Sequence, residues 1–92
     1  MTTIKKLKSM PYAQAHIEIV DGTIYLYSYT TLVCEINNDG WLYCYGLYSM
    51  TTRKHISAFM KEYTGLSYDN AKKCYKDNYC LNIHTGEILE IE

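Results

Sequence analysis

Alternating hydrophobic and polar positions dominate the first half of the chain. Residues 16–20 alternate two isoleucines with polar residues, and an Asp-Gly pair follows at 21–22. Alternation with a period of two is typical of a half-buried β-strand. Asp-Gly is a strong signal for a hairpin, because both central positions of a type I′ turn need a positive φ. The sequence therefore predicts a hairpin whose second strand covers residues 23–30.

Two further strands are predicted over residues 32–36 and 41–45, with the turn-forming sequence Asn-Asn-Asp-Gly between them. Successive side chains of a strand point to opposite faces of its sheet. The aromatic residues of the second and fourth strands therefore share one face. They are Tyr25, Tyr27, Tyr29, Trp41, Tyr43 and Tyr45. The first half of the chain is predicted to form a four-strand antiparallel meander.

The second half begins with a helical pattern. Large apolar residues recur every three or four positions over residues 52–63, and the hydroxyl of Ser49 or Thr51 is suited to cap this helix. A shorter helix is predicted over 68–76. Residues 79–91 are predicted to form a closing hairpin, whose strands either stand apart or add to the first sheet.

These elements predict an α+β fold: a mostly antiparallel sheet, one main helix and a shorter second helix. A chain of 92 residues is expected to form one domain over 1–92, in which residues 1–12 are an N-terminal arm. The main helix has a stripe of only four apolar residues and covers only part of a four-strand sheet. The other sheet face is therefore expected to be solvent-exposed, dimerised or covered by the second helix.

Tyrosine is the outlier of the composition, with 11 residues against one Phe and one Trp. Its ring and hydroxyl suit half-exposed positions, and Tyr and Trp are enriched where proteins bind other proteins. The aromatic face is therefore a candidate partner-binding surface, and a homodimer that hides it is compatible with the sequence. The alternative is that the tyrosines only pack against each other across neighbouring strands.

Charged residues are segregated along the chain. The net charge is +3 over residues 1–14, −4 over 15–46, +4 over 53–76 and −4 over 77–92, which leaves −1 overall. A pI near 6.3 argues against a dedicated nucleic-acid-binding protein, because such affinity comes mostly from neutralising phosphates. The alternative is that the basic block contacts phosphates while tyrosines stack on bases. Its candidate residues are Arg53, Lys54, Lys72, Lys73 and Lys76.

The segment 48–56 concentrates hydroxyl and basic side chains at the start of the main helix. Basic residues there oppose the helix macrodipole, which favours acids. One interpretation is that the helix N-terminus binds an anion, such as a phosphate or a partner's carboxylate. The other is that the hydroxyls cap the helix and the basic side chains are solvated. The candidate anion contacts are Ser49, Thr51, Thr52, Arg53, Lys54 and His55.

The same segment carries a resemblance to a protein family. The residues concerned are Ser28-Tyr29-x-Thr31-x-Val33, Trp41-Leu42-Tyr43, the motif Tyr48-Ser-x-Thr-Thr-x-x-His-Ile, and Phe59. They resemble a family of small uncharacterised proteins found in phages and mobile elements of Gram-positive bacteria. The resemblance covers roughly residues 25–64. It implies a genomic context in which small accessory proteins often disable host defences, including CRISPR nucleases, by binding them.

Catalytic and metal sites have no comparable signal. The four Cys and three His include no Cys-x-x-Cys and no His pair at i, i+4, so neither a metal nor a cofactor is expected. The chain has no signal-peptide pattern and no apolar run of membrane length, so we expect a cytoplasmic protein with reduced thiols and no membrane contact. Cys34 and Cys44 face each other across their hairpin if its loop has three residues.

The sequence therefore predicts a binding protein and not an enzyme. We expect an accessory protein of a phage or mobile element that inhibits a host defence protein, such as a CRISPR effector, through the aromatic face or the acidic blocks. The alternative is a nucleic-acid-binding accessory protein that uses the basic segment 53–76 and the tyrosines.

Overall fold

The computed structural model describes residues 1–91 and contains seven strands and two helices in that range. In chain order they are β1 (Thr2–Lys5), β2 (Ala15–Val20), β3 (Thr23–Ser28), β4 (Thr31–Ile36), β5 (Trp41–Cys44), α1 (Met50–Tyr63), α2 (Tyr68–Lys76), β6 (Tyr79–Asn82) and β7 (Ile88–Glu90). The strands form one antiparallel sheet in the order β1 to β7. The predicted α+β fold, with a meander and a C-terminal hairpin, is confirmed.

Both ends of the chain add strands to the predicted meander. Residues 1–12 were expected as an arm, but part of this segment forms the edge strand β1, which pairs with β2. Leu7 follows β1 and is fully buried in the core. At the other end, β6 pairs with β5, so the C-terminal hairpin extends the first sheet. The four residues of β1 are all exposed. The strand therefore lacks the alternation of buried and exposed positions from which the other strands were predicted.

The turn between β2 and β3 follows the local sequence. Asp21 and Gly22 have φ values of 50° and 87°, as a type I′ turn requires. A Cβ added at Gly22 would lie 1.8 Å from Asn38 Oδ1. The Asn38 side-chain amide donates to the Asp21 carbonyl at 2.8 Å. The backbone conformation therefore favours glycine at position 22, a larger side chain there would displace the Asn38 amide, and this amide joins the turn to the β4–β5 turn.

Helix α1 begins after Ser49, whose hydroxyl accepts a hydrogen bond from the Thr52 N–H at 3.2 Å. It ends at Tyr63, and two residues later Gly65, which has a φ of 72°, donates its N–H to the Met60 carbonyl. Of the two candidate caps, the structure therefore uses Ser49. Within residues 1–91, no helix is long and apolar enough to cross a membrane.

Both helices pack on the same face of the sheet. Helix α1 contacts β3, and α2 contacts β5, β6 and α1. The core between them includes Ile17, Leu26, Cys34, Ile36, Leu42, Ile56, Phe59, Met60, Ala71 and Cys74. Each large apolar side chain buried in this way contributes about 1.5–3 kcal/mol. Because α2 lies beside α1, neither helix covers the opposite side of the sheet, which we call the outer face.

A β-bulge in β4 changes the course of the strand. Leu26 lies opposite Cys34 whereas Tyr27 lies opposite Leu32, so one residue of β4, Val33, has no partner in β3. Strand β3 ends soon afterwards at Ser28, two residues before the predicted end.

Candidate functional site

The outer face carries a continuous row of side chains across five strands. The register places Ile4 opposite Glu18 and Glu18 opposite Tyr25. It then places Tyr25 opposite Glu35 and Glu35 opposite Tyr43. Directly opposed residues of an antiparallel pair are close enough for their side chains to interact. The row therefore alternates apolar or aromatic residues with carboxylates.

The aromatic rings of this face form ordered pairs. His16 stacks on Tyr27, with ring centroids 4.9 Å apart and planes inclined by only 3°. Tyr43 and Tyr45 stack at 6.4 Å and 11°. Tyr27 and Tyr43 are half-buried, and Tyr45 is 45% exposed. Rings held in this way offer contact area to a partner at a low cost in conformational entropy.

Both carboxylates of the row are oriented by neighbouring side chains. Glu18 Oε2 lies 2.9 Å from His16 Nε2, and Glu35 Oε1 accepts a hydrogen bond from the Tyr45 hydroxyl at 2.8 Å. Burial, and then the contact with Glu35, raise the pKa of Tyr45. The tyrosine hydroxyl therefore remains a donor to Glu35 at neutral pH, and the carboxylate keeps a fixed position on the surface.

Charge divides the molecule into two layers. Among the described strand residues, those oriented like Tyr25 include Glu18 and Glu35 but no lysine or arginine. Within residues 1–91, Lys5 is the one lysine or arginine in a strand, and it lies opposite the inward-facing Ile17. The exposed basic residues of the helices are Arg53, Lys54, Lys61, Lys72, Lys73 and Lys76. The outer face is therefore acidic, whereas the helical layer is basic.

Five of the six predicted partner-binding aromatics lie on the outer face. Tyr25, Tyr27, Trp41 and Tyr43 alternate along β3 and β5 as expected, and Tyr45 follows β5.

The sixth aromatic residue, Tyr29, does not join them. It lies beyond the end of β3 with a φ of 58°, and its ring is 6.0 Å from that of His55 in α1. A left-handed residue breaks the strand's alternation, so the side chain turns away from the row. The predicted face therefore contains Tyr25 and Tyr27 from this segment, but not Tyr29.

The tyrosines of the outer face and the basic residues of the helices lie on opposite sides of the sheet. Lys72, Lys73 and Lys76 belong to α2, whereas Tyr25 and Tyr43 are on the outer face. One nucleic-acid strand running over a single face would therefore meet only one of these two groups.

The candidate anion contacts separate into buried and exposed residues. Thr52 and His55 are 3% and 1% exposed, so neither side chain is available to an anion. Ser49 is engaged as the N-cap of α1. Thr51, Arg53 and Lys54 are exposed.

The buried members of this group form a hydrogen-bonded cluster with Ser28, a residue of the family resemblance that was not predicted as a site residue. Ser28 Oγ lies 2.8 Å from His55 Nδ1 and 3.0 Å from Thr52 Oγ1. Burial lowers the pKa of His55, which favours the neutral ring. The alternation of β3 could have predicted that Ser28 is buried, because Ser28 follows Ile24 and Leu26 on the inward side of the strand. The cluster attaches the start of α1 to the end of β3.

The atoms of this cluster match those of a nucleophile–base pair, but its surroundings do not suit catalysis. The Ser28 hydroxyl is shared between Thr52 and His55, and Ser28 is only 2% exposed. A substrate therefore has no route to the hydroxyl in this structure. We assign the cluster a structural role.

The four cysteines are buried free thiols. In the described part of the chain, no three His, Cys, Asp or Glu side chains are grouped to hold a metal ion. Cys34 and Cys44 lie directly opposite each other in β4 and β5. The Asn37 N–H donates to the Trp41 carbonyl, which leaves three residues in the loop between these strands.

The comparison with protein families covers most of these features. A family of unknown function, DUF8033, matches residues 2–80. The chain belongs to the DUF8033 family. The matched span runs from β1 into β6, so it includes the acidic aromatic row and the Ser28–His55 cluster. Comparison with curated proteins and with solved structures found no match.

Proposed function

We propose that this protein is a binding module whose outer face docks onto a basic surface of another protein. The observation that carries the proposal is the row from Ile4 to Tyr43, which combines two carboxylates with aromatic rings on a face that has no lysine or arginine among its described strand residues. Carboxylates attract the lysines and arginines of a partner and exclude acidic competitors. Aromatic rings add contact area and attract cations at short range.

The chemistry of the face suits a partner that ordinarily binds nucleic acid. Such proteins present clustered lysine and arginine to phosphates and aromatic side chains to bases. On the outer face, the carboxylates have the negative charge of phosphates, and the tyrosine rings beside them offer flat surfaces as bases do. Together with the resemblance of the Tyr48-Ser-x-Thr-Thr-x-x-His motif to phage proteins, this supports an accessory protein of a phage or mobile element. In this proposal it occupies the nucleic-acid-binding surface of a host defence enzyme, such as a CRISPR effector.

The test uses the immobilised full-length protein, lysate of a Gram-positive host, and elution with single-stranded DNA. We expect the retained partner to bind nucleic acid itself and to be released by the DNA or by added salt. Tyr27→Ala/Tyr43→Ala, and separately Glu35→Lys, should each reduce capture at least about tenfold, equivalent to about 1.4 kcal/mol.

Asp69→Lys is the matched control, because it makes the same charge change on an exposed residue of α2. It should capture the partner at the wild-type level. Circular dichroism checks that all variants fold. Equal capture by wild type and by folded variants of the outer face would refute the proposal, as would a partner that DNA does not release.

An exposed lysine cluster favours a second candidate function, direct binding of nucleic acid. Lys72, Lys73 and Lys76, together with Asp69 and Asp77, line a cleft of about 210 Å³ along α2. This function predicts salt-sensitive binding of a single-stranded oligonucleotide by the wild type. Lys73→Glu should then weaken binding, whereas Tyr27→Ala/Tyr43→Ala should not, because the tyrosines are on the other face. Absence of salt-sensitive binding by the wild type excludes this second function.

A further inference from the structure

Cys34 and Cys44 face each other in neighbouring strands, at a position without backbone hydrogen bonds between them. Along an antiparallel ladder, hydrogen-bonded pairs alternate with non-hydrogen-bonded pairs. The Asn37 N–H donates to the Trp41 carbonyl at 3.0 Å, so that pair is hydrogen-bonded. Cys34 and Cys44 lie three positions further along the same register and form a non-hydrogen-bonded pair. Such pairs have Cα atoms about 4.5 Å apart and bring their side chains closest together.

This spacing is compatible with a disulfide, which needs Cα atoms roughly 4.4–6.8 Å apart. Both side chains point into the core, so the two sulfurs face each other. Contact with the Cys44 side chain, together with burial, raises the pKa of Cys34. Contact with Cys34 and the hydrogen bond from the Cys44 thiol to the Gly46 carbonyl lower the pKa of Cys44, whereas burial opposes this change. Access to solvent then decides which of the two thiols meets an oxidant first.

Only one of these cysteines has access to a cleft. Cys34 is fully buried, whereas Cys44 is 9% exposed and lines a cleft of about 350 Å³ beside Tyr45 and Tyr75. A water molecule occupies about 30 Å³, so this volume admits a small peroxide. Cys74 also lines the cleft, but burial raises its pKa to about 12, which keeps it protonated at neutral pH.

We propose that Cys34 and Cys44 form a reversible cross-strand disulfide, in which Cys44 is the thiol that reacts with a hydroperoxide. The Cys44 sulfur attacks the terminal peroxide oxygen and the O–O bond breaks. The thiol proton passes to the departing oxygen, which gives a sulfenic acid and an alcohol, or water when the oxidant is hydrogen peroxide.

The second step closes the disulfide. The Cys34 sulfur attacks the Cys44 sulfur, the S–O bond breaks, and the hydroxyl group leaves as water with the Cys34 proton. The two thiols together lose two electrons, which reduce the peroxide. An added dithiol reduces the bond to the two cysteine thiols by thiol–disulfide exchange and is itself oxidised to a disulfide.

The proposed bond lies beneath the outer face and would make this face sensitive to oxidation, a property separate from partner binding. Cys34 precedes Glu35, and Cys44 lies between Tyr43 and Tyr45, so the bond forms directly beneath the outer face. The pair therefore couples the redox state of the protein to the strands that carry this face.

The test treats the reduced, full-length protein with one equivalent of hydrogen peroxide, denatures it, alkylates the remaining thiols and maps the peptides by mass spectrometry. We expect one disulfide, between the peptides that contain Cys34 and Cys44, with Cys74 and Cys80 alkylated. Dithiothreitol should restore four thiols. A Cys44–Cys74 bond, a mixture of pairings, or the absence of any disulfide would overturn the proposal.

Two variants separate the steps. Cys34→Ser should stop the reaction at the Cys44 sulfenic acid, which dimedone labels. Cys80→Ser is the matched control, because Cys80 is another buried thiol of the same sheet and its side chain bonds to the Leu89 carbonyl. It should form the disulfide as the wild type does. The map of the wild type decides the proposal even where Cys34→Ser does not fold.

Discussion

At the scale of single residues, His55 shows how a motif that suggested an anion site serves the fold. Its Nδ1 atom lies 2.8 Å from Ser28 Oγ, and both residues are almost fully buried. A neutral imidazole can accept or donate at this position without the cost of a buried charge. The histidine of the Tyr48-Ser-x-Thr-Thr-x-x-His motif therefore joins α1 to β3.

Acid should destabilise the protein through His55. Burial lowers the pKa of this residue in the folded state, so below the ordinary value of about 6.5 the unfolded chain binds a proton that the folded chain does not. Its contribution is complete above that value and is lost as the pH falls toward the folded pKa. Urea unfolding at about pH 7.5 and about pH 5.5 should show a lower free energy of unfolding in acid.

His55→Leu is the variant that isolates this effect. It should be less stable than the wild type at the higher pH, because the buried Ser28 hydroxyl loses one of its two partners, at a cost of about 1–3 kcal/mol. The stability of the variant should also depend less on pH, because the imidazole of His55 is absent. His16 and His84 are present in both proteins and do not contribute to the difference. An identical pH dependence in both proteins would show that His55 does not cause the loss.

At the scale of secondary-structure elements, the start of α1 depends on one of two neighbouring hydroxyls. Ser49 accepts the Thr52 N–H, whereas Thr51 is exposed in the first turn. Ser49→Ala should lower the free energy of unfolding by about 1 kcal/mol. Thr51→Ala should change it by less than about 0.5 kcal/mol. Urea titration measures both, and equal losses would contradict the assignment of the cap.

The same scale shows which parts of the fold could be predicted. Alternation placed Tyr25 and Tyr27 on one face, and local turn chemistry identified the Asp21-Gly22 hairpin, because both depend on residues close in sequence. The bulge at Val33 and the departure of Tyr29 could not be predicted this way. They depend on how β3 and β4 are paired, and a shift of one residue in one strand has no local signature.

For the candidate site, the aromatic rings could be predicted but their acidic neighbours could not. The position of Glu35 between Tyr25 and Tyr43 follows from the register of three strands. The buried partner of His55 was also outside the reach of local patterns, since Ser28 lies 27 residues away in the chain. Contacts of this length require the helix to be docked on the sheet.

At the scale of the whole molecule, segregation of charge along the sequence becomes segregation between layers. The helices carry five exposed lysines, three more lie in the N-terminal segment, and the outer face of the sheet carries Glu18 and Glu35. Such an arrangement orients the protein as it approaches a charged partner and increases the association rate at low salt. The sheet and the helical layer therefore present opposite charges to any partner.

Docking of the helices on the sheet should limit the stability of the molecule. Phe59 is fully buried in the core and packs against Tyr63, with ring centroids 5.3 Å apart. Phe59→Ala should cost about 3–5 kcal/mol, a large share of the roughly 5–14 kcal/mol expected for a chain of this length. Tyr12→Ala is the control, because Tyr12 is 97% exposed and should contribute less than about 0.5 kcal/mol. Thermal and urea unfolding measure both changes in the free energy of unfolding. A similar loss in the two variants would contradict this expectation.

The sequence by itself determined the elements whose causes are local: the alternating strands, the positive-φ turns and the apolar stripes of the two helices. Only the tertiary structure decided that β1 joins the sheet edge, that α2 lies beside α1, and that Cys34 and Cys44 oppose each other without backbone hydrogen bonds between them. The physical reason is that periodicity and turn geometry act over a few residues. Register, docking and exposure are set by contacts between segments that are distant along the chain.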